Sequence, residues 1–251
     1  ADSTLAAPTQ PAKTLNQAEL EQLNDRALRA ANTGDFATSE GYWTQLIEQL
    51  PDNPALWSNR GNTRVSQNHL NEAIADYDRA IELAPNLPDA YLNRGAAYEG
   101  LKRWTEAITD YDRVLELSSQ DAAAYNNRGN ARAGLGDWET AIADYQKAAE
   151  LEPKFAFARA NALLARYQTG DTEAATRQMK TLVRKYPQFA DMRAALTAAL
   201  WKQGNIGEAE INWVAAIGLD SRYKDINWVR EIRRWPPEMV EALDLFLHVK
   251  R

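Results

Sequence analysis

Four asparagines stand one fixed interval apart: Asn59, Asn93, Asn127 and Asn161, each 34 residues from the next. A carboxamide carries two N–H donors and an oxygen with two lone pairs, so it can pair with both the N–H and the C=O of a peptide unit. Repeated along a surface, it would hold an extended backbone without reading its side chains. Asn62, Asn126 and Asn130 sit beside members of the series. At roughly 0.5–1.5 kcal/mol net per hydrogen bond, such a ladder gives weak affinity, and anchors beside it are needed. Phe157, Leu164, Tyr167 and Trp201 are the candidates, forming an apolar pocket at the ladder's end if they are exposed. Each group has a plainer reading: solvated helix surface for the asparagines, ordinary core for the apolar four.

Other chemistries are poorly supplied. The chain has no cysteine, which excludes thiolate nucleophiles and Cys-based zinc sites, and its two histidines, His69 and His248, lie far apart in sequence. Carboxylates are plentiful but spread as helix-surface charge, with no pair standing out as an acid/base couple. Nucleotide-loop and zinc-protease signatures are absent. No catalytic constellation, metal site or cofactor is expected. A net charge of −6, from 29 Lys+Arg against 35 Asp+Glu, argues against nucleic acid as a partner. No apolar run reaches the 18 or so residues of a membrane span.

The elements that position the asparagines follow from the same period. Asn-Arg-Gly recurs at Asn59–Gly61, Asn93–Gly95 and Asn127–Gly129, and each is followed by Ala-Ile-x-Asp-Tyr ending at Tyr77, Tyr111 and Tyr145. Six units of 34 residues run from Leu20 to Tyr223. Gly34, Gly136, Gly170 and Gly204 share one column, suited to the left-handed residue that ends a helix. Pro51, Pro85, Pro153 and Pro187 share another, where a second helix stops. Two helices per unit, approaching closely at small residues such as Gly61, Ala73 and Ala80, cannot bury their faces alone and must stack on neighbours.

Trp57, Gly61, Ala73, Tyr77, Ala80 and Pro85 of the second unit, and their counterparts in the third and fourth, resemble the tetratricopeptide-repeat signature over about four fifths of the chain. The resemblance implies an all-α fold, a right-handed superhelix (α-solenoid) of about six helix-turn-helix units over residues 16–223. It further implies a partner-binding concave face lined by the first helix of each pair. The asparagine series falls on that face, and resembles the asparagine-lined superhelix of O-linked N-acetylglucosamine transferases. With first helices about 8–10 Å apart, a strand rising roughly 3.3 Å per residue meets an asparagine about every third residue. Lys and Arg are missing from Ala55, Ser58, Leu92 and Ala123, where a clamp for acidic C-terminal tails would need them. Arg60, Arg94 and Arg128 with Asp76, Asp110 and Asp144 read as a structural ion-pair ladder.

The ends depart from the pattern. Arg159 and Arg193 replace the signature aromatic in units five and six, and Leu163 and Thr197 replace its glycine, which puts the helix geometry there in doubt. Residues 224–251 read as capping helices, Asp225–Arg234 and Glu238–Val249, with Trp228, Arg230, Arg233, Arg234 and Trp235 as a packed cap. Residues 1–15 read as a flexible tail. Ala190–Trp201 and Arg233–Pro237 resemble a repeat protein of cyanobacteria and plastids, and the Ala1 start resembles a mature protein of the thylakoid lumen or periplasm. That resemblance implies an extracytoplasmic assembly factor for photosynthetic membrane complexes. The expected function is a non-enzymatic adaptor binding an extended protein segment; the alternative is a scaffold that self-associates through its terminal helices, and the oligomeric state is open.

Overall fold

A computed structural model describes residues 14–249. Their regular structure is entirely helical: fourteen α-helices and one 3-10 turn. In chain order twelve of them fall two to a repeat: α1 (Gln17–Asn32) and α2 (Phe36–Gln49), α3 (Pro54–Ser66) and α4 (Leu70–Leu83), α5 (Pro88–Gly100) and α6 (Trp104–Leu117), α7 (Ala122–Gly134) and α8 (Trp138–Leu151), α9 (Ala156–Gln168) and α10 (Thr172–Lys185), and α11 (Ala190–Lys202) and α12 (Ile206–Leu219). The α1–α2, α3–α4, α7–α8, α9–α10 and α11–α12 pairs pack as the consecutive helix hairpins of the α-solenoid that the period implies. A 3-10 turn (Ser221–Lys224), α13 (Ile226–Glu231) and α14 (Pro237–Val249) follow. Of the expected N-terminal tail, all but Thr14 and Leu15 lies outside the described residues. The Leu15 N–H donates to Gln49 Oε1 at 3.0 Å.

The chain divides into two compact units, one ending at Leu101 and one beginning at Lys102. In the first, Trp43, Leu46 and Ile47 of α2 pack with Ala27 and Leu56, and Tyr77 of α4 packs with Ala73 and Ala97. A Cβ on Gly61 would stand 2.7 Å from Tyr77 Cε1, so only glycine lets that ring reach its place. Ser39, in the column that holds alanine elsewhere, is buried without penalty because its hydroxyl donates to the Ala27 carbonyl at 2.9 Å. In the second unit the core is largest at the C-terminal end, where α9 to α12 and α14 contribute Met179, Met192, Leu196, Leu200, Leu243 and Phe246.

The turn column is complete in a way the glycines alone do not reveal. Asn68 (φ 61°) and Lys102 (φ 58°) adopt the left-handed conformation that Gly34, Gly136, Gly170 and Gly204 adopt in the other repeats. Asparagine tolerates that region; lysine does so at a cost that the surrounding turn must offset. The cap also differs from expectation. The helix foreseen over 225–234 runs only from Ile226 to Glu231, capped at its start by Asp225. Arg234 turns into the left-handed region at φ 51°, and Pro237 begins the last helix.

Candidate functional site

In the first unit, α3 and α5 carry the asparagines. Pro54 opens α3, whose N-cap Asn53 accepts the Ala55 N–H, and Asn59 and Asn62 follow one turn apart on one side. Asn62 is exposed; Asn59 and Asn93 are half-buried. The Tyr77 hydroxyl donates to Asn62 Oδ1 at 2.8 Å, and Asn93 Nδ2 donates to the same oxygen at 3.2 Å. Both lone pairs of Asn62 are thereby used, and its two N–H donors are left. Asn93 keeps one N–H and its oxygen, and the Asn59 amide bonds to none of the described residues. Leu28 on α1 and Val65 on α3 are exposed.

In the second unit the amides turn to one another. Asn161 Nδ2 on α9 donates to Asn126 Oδ1 at 3.2 Å and Asn130 Oδ1 at 3.5 Å. Asn126, which is buried, donates to Asn127 Oδ1 at 3.3 Å, and the Tyr145 hydroxyl donates to Asn130 Oδ1 at 3.0 Å. Residues 230–237 then border a partly open cavity of about 630 Å³ together with Trp104, Asn130, Trp138 and Asn161. Lys102 pairs with Glu231 at 3.1 Å, and the Arg234 guanidinium lies over the Trp104 ring at 5.7 Å, fastening the segment down. Asn130 and Asn161 of the face expected to be open thus share their space with the chain's own tail.

The four apolar anchors do not form an exposed pocket. Leu164 and Tyr167 are 2% and 3% exposed, because α14 packs against α9 and α11 and takes them into the core. Burial, with a smaller contribution from Glu238, raises the Tyr167 phenol above its ordinary value. Trp201 is half-buried, edge-on to Phe246 with ring centres 5.3 Å apart. Phe157 alone is exposed, and it stands edge-on to Phe189 beneath the Arg233 guanidinium. The period does not register a helix that arrives from outside the repeats, which is why these positions look open in sequence.

The arginine column is structural, as its spacing suggests. Arg60 grips the buried Asp76 through Nε and Nη2 at 3.0 and 2.7 Å, and Arg128 grips Asp144 at the same two distances and Asp112 at 2.7 Å. Burial opposes the Arg128 charge, but its two carboxylates outweigh it and hold the guanidinium pKa above the ordinary value. Each arginine also lies over the aromatic three residues before it, Trp57, Tyr91 or Tyr125. Those aromatics carry a second duty: Trp57 Nε1 and the Tyr91 hydroxyl donate to the carbonyls of Pro51 and Pro85. Arg193 in repeat six replaces that bond, its Nε donating to the Pro187 carbonyl at 2.6 Å and its Nη1 to Asn212 at 3.2 Å.

One functional group has no signal in the repeat columns. Asp191 is 2% exposed and accepts from the Tyr223 hydroxyl, from Arg233 Nε and Nη2, and from Trp235 Nε1, at 2.7, 2.7, 2.7 and 3.0 Å. Burial pulls the Arg233 pKa down, and Asp191 more than restores it. The stretches around 191 and 233–237 thus join the cap to α11. Among the described residues, no group of three or more His, Cys, Asp or Glu is placed to hold a metal ion, and no helix is long and apolar enough to cross a membrane.

Models of the TPR repeat match residues 61–102 and 101–136, and tetratricopeptide-repeat models match 122–155 and 161–222. Curated proteins yield no match. Among solved structures, a tetratricopeptide repeat protein from Parabacteroides merdae superposes with a TM-score of 0.72 at 18% identity, covering 92% of this chain and 93% of its own. MamA gives 0.61 at 22% identity over 67% of this chain and 92% of its own. YrrB, a TPR protein with an unusual peptide-binding site, gives 0.56 at 22% identity over 76% of this chain and 97% of its own. These likenesses carry the fold alone and lend no support to a thylakoid or photosynthetic origin. Repeat period, helix pairing and matched segments agree: the chain belongs to the tetratricopeptide-repeat family.

Proposed function

We propose that the chain is a non-enzymatic protein-binding adaptor whose first unit holds an extended polypeptide segment against α3 and α5. The supporting observation is the unspent hydrogen-bonding capacity of three neighbouring amides: the whole of Asn59, both donors of Asn62, and one donor and the oxygen of Asn93. Donors outnumber acceptors in that set, which suits a backbone presenting carbonyls. Asn62 is exposed and Asn59 and Asn93 are only half-buried, whereas in the second unit Asn130 and Asn161 share a cavity with residues 230–237. YrrB, with its peptide-binding site, is a precedent for the function within this fold.

The test uses displayed, unstructured peptides selected against the whole chain and measured by fluorescence anisotropy. The double variant Asn59→Ala with Asn93→Ala removes two or three hydrogen bonds, about 2–3 kcal/mol or roughly 30- to 150-fold in affinity. Binding unchanged in that variant removes the asparagines from the mechanism.

One observation favours a second reading, self-association through the terminal helices. Leu245 on α14 is 51% exposed, and Ile211 and Val214 on α12, the last repeat helix, are 70% and 68% exposed, where α10 carries Arg177 and Lys180 and α6 carries Thr109 and Asp112. Light scattering over a concentration series separates the two: a monomer throughout removes the scaffold.

A further inference from the structure

On the side of α9 away from Asn161, helices α8, α9 and α10 border a groove of about 450 Å³. Ala162, Leu163 and Leu182 supply apolar surface, and Arg159, Arg166 and Lys185 bring three cations to it. Neither the Arg159 nor the Arg166 guanidinium has a hydrogen bond or ion pair with any described residue. Lys185 lies only over the ring of its neighbour Tyr186. The carboxylate at the groove, Glu150, is engaged by Lys147 at 3.2 Å. In a chain of net charge −6, three cations around an apolar groove call for an explanation.

The period supplies one. In the fourth repeat the same place is filled from within: Arg128 binds Asp144 and Asp112, and Arg132 binds Asp144 at 2.8 Å. One period later Ala162 stands for Arg128, Gln146 for Asp112 and Gln178 for Asp144, while Arg166 keeps the place of Arg132 and Arg159 takes that of Tyr125. A bulky side chain and both carboxylates are gone, one guanidinium is retained and another is added. The sixth repeat does not leave a guanidinium stranded: its columns hold Leu196, Leu200 and Asn212, and Arg193 is bonded to Asn212 and the Pro187 carbonyl. The fifth repeat therefore has the cationic half of an ion-pair site without its anionic half.

We propose that this groove binds an acidic polypeptide segment, whose carboxylates take the place that Asp112 and Asp144 hold one repeat earlier and whose apolar side chain lies on Ala162, Leu163 and Leu182. Arg159 and Arg166 are seven residues apart on one helix, about 10 Å along its axis. One carboxylate or phosphate cannot span that interval, whereas two carboxylates three residues apart on a segment in the polyproline-II conformation share one face about 9.3 Å apart and can. Guanidinium–carboxylate pairing supplies the specificity, and the partly buried setting strengthens it over a free surface pair. The site is separate from the asparagines of α3 and α5 and does not depend on them.

The probe is a fluorescein-tagged, end-capped peptide Glu-Leu-Ala-Glu, with Gln-Leu-Ala-Gln as its neutral counterpart, titrated against the whole chain at low salt. The acidic peptide should bind saturably and the neutral one about tenfold more weakly or worse. Arg159→Gln with Arg166→Gln should lose about tenfold with its melting temperature nearly unchanged. A variant that rebuilds the fourth-repeat set, A162R with Q146D and Q178D, should lose binding with both arginines still in place. The Asn59→Ala, Asn93→Ala variant should bind this peptide normally. The proposal is overturned by equal binding of the neutral peptide, by undiminished binding to the arginine double variant, by loss in the asparagine variant, or by no saturation at millimolar peptide. If the rebuilt variant does not fold, the arginine pair decides alone, since both side chains are only partly buried and unbonded.

Discussion

Asp191→Ala is the substitution from which the cap has most to lose. The carboxylate is buried and accepts four hydrogen bonds, two of them from a guanidinium that is itself mostly enclosed. Removing it leaves Arg233 charged without its counter-ion, and leaves the Tyr223 hydroxyl and Trp235 indole N–H without an acceptor. Breaking a buried pair from one side costs about 3–5 kcal/mol, and a chain of this size loses roughly 2–4 °C of melting temperature per kcal/mol. A fall of about 6–20 °C is expected by circular dichroism, with limited proteolysis cutting first near residues 225–237. Tyr223→Phe is the internal control: it removes one donor from a carboxylate that keeps three, for roughly 0.5–1.5 kcal/mol. An Asp191→Ala protein that melts within about 1 kcal/mol of the parent would show that the cap is held by its apolar contacts alone, and would refute the account of this network.

Two further outcomes follow from the packing and the ionisable groups. Gly129→Ala places a Cβ 2.7 Å from Tyr145 Cε1 and should cost about 1–3 kcal/mol by overpacking, measured by urea denaturation; an unchanged midpoint would mean that the ring has room to withdraw. The phenols of Tyr77 and Tyr223 are held above their ordinary value, chiefly by burial and then by Asp76 and Asp191 respectively. The unfolded chain ionises near pH 10 while the folded chain does not, so this stability is full below about pH 10 and is lost as pH rises toward the folded values. Melting temperature should decline above pH 10, and less steeply for Tyr223→Phe; parallel declines would contradict the assignment.

The repeat architecture was legible because close packing writes it into fixed columns, and the ring of Tyr77 against Gly61 is such a constraint. What escaped were substitutions that conserve a contact in different chemistry. Lys102 and Asn68 hold a turn that reads as a glycine position, and Arg193 makes the hydrogen bond of an absent aromatic. The candidate site was legible as residue type but not as accessibility. Asn93 and Asn161 share one column, yet Asn161 lines a cavity with residues 230–237, which no repeat pattern describes. Leu164 and Tyr167 fit a pocket or a core equally in sequence, and α14, arriving from beyond the repeats, decides for the core.

The most direct measurement of the proposed groove follows the side-chain Nδ2 amide resonances of the asparagines while a selected peptide is titrated into isotope-labelled protein. The account predicts that Asn59, Asn62 and Asn93 shift with one common affinity while the mutually bonded Asn126 and Asn161 stay still. Shifts confined to Asn126, Asn130 and Asn161, or none at any of the seven asparagines, would contradict it.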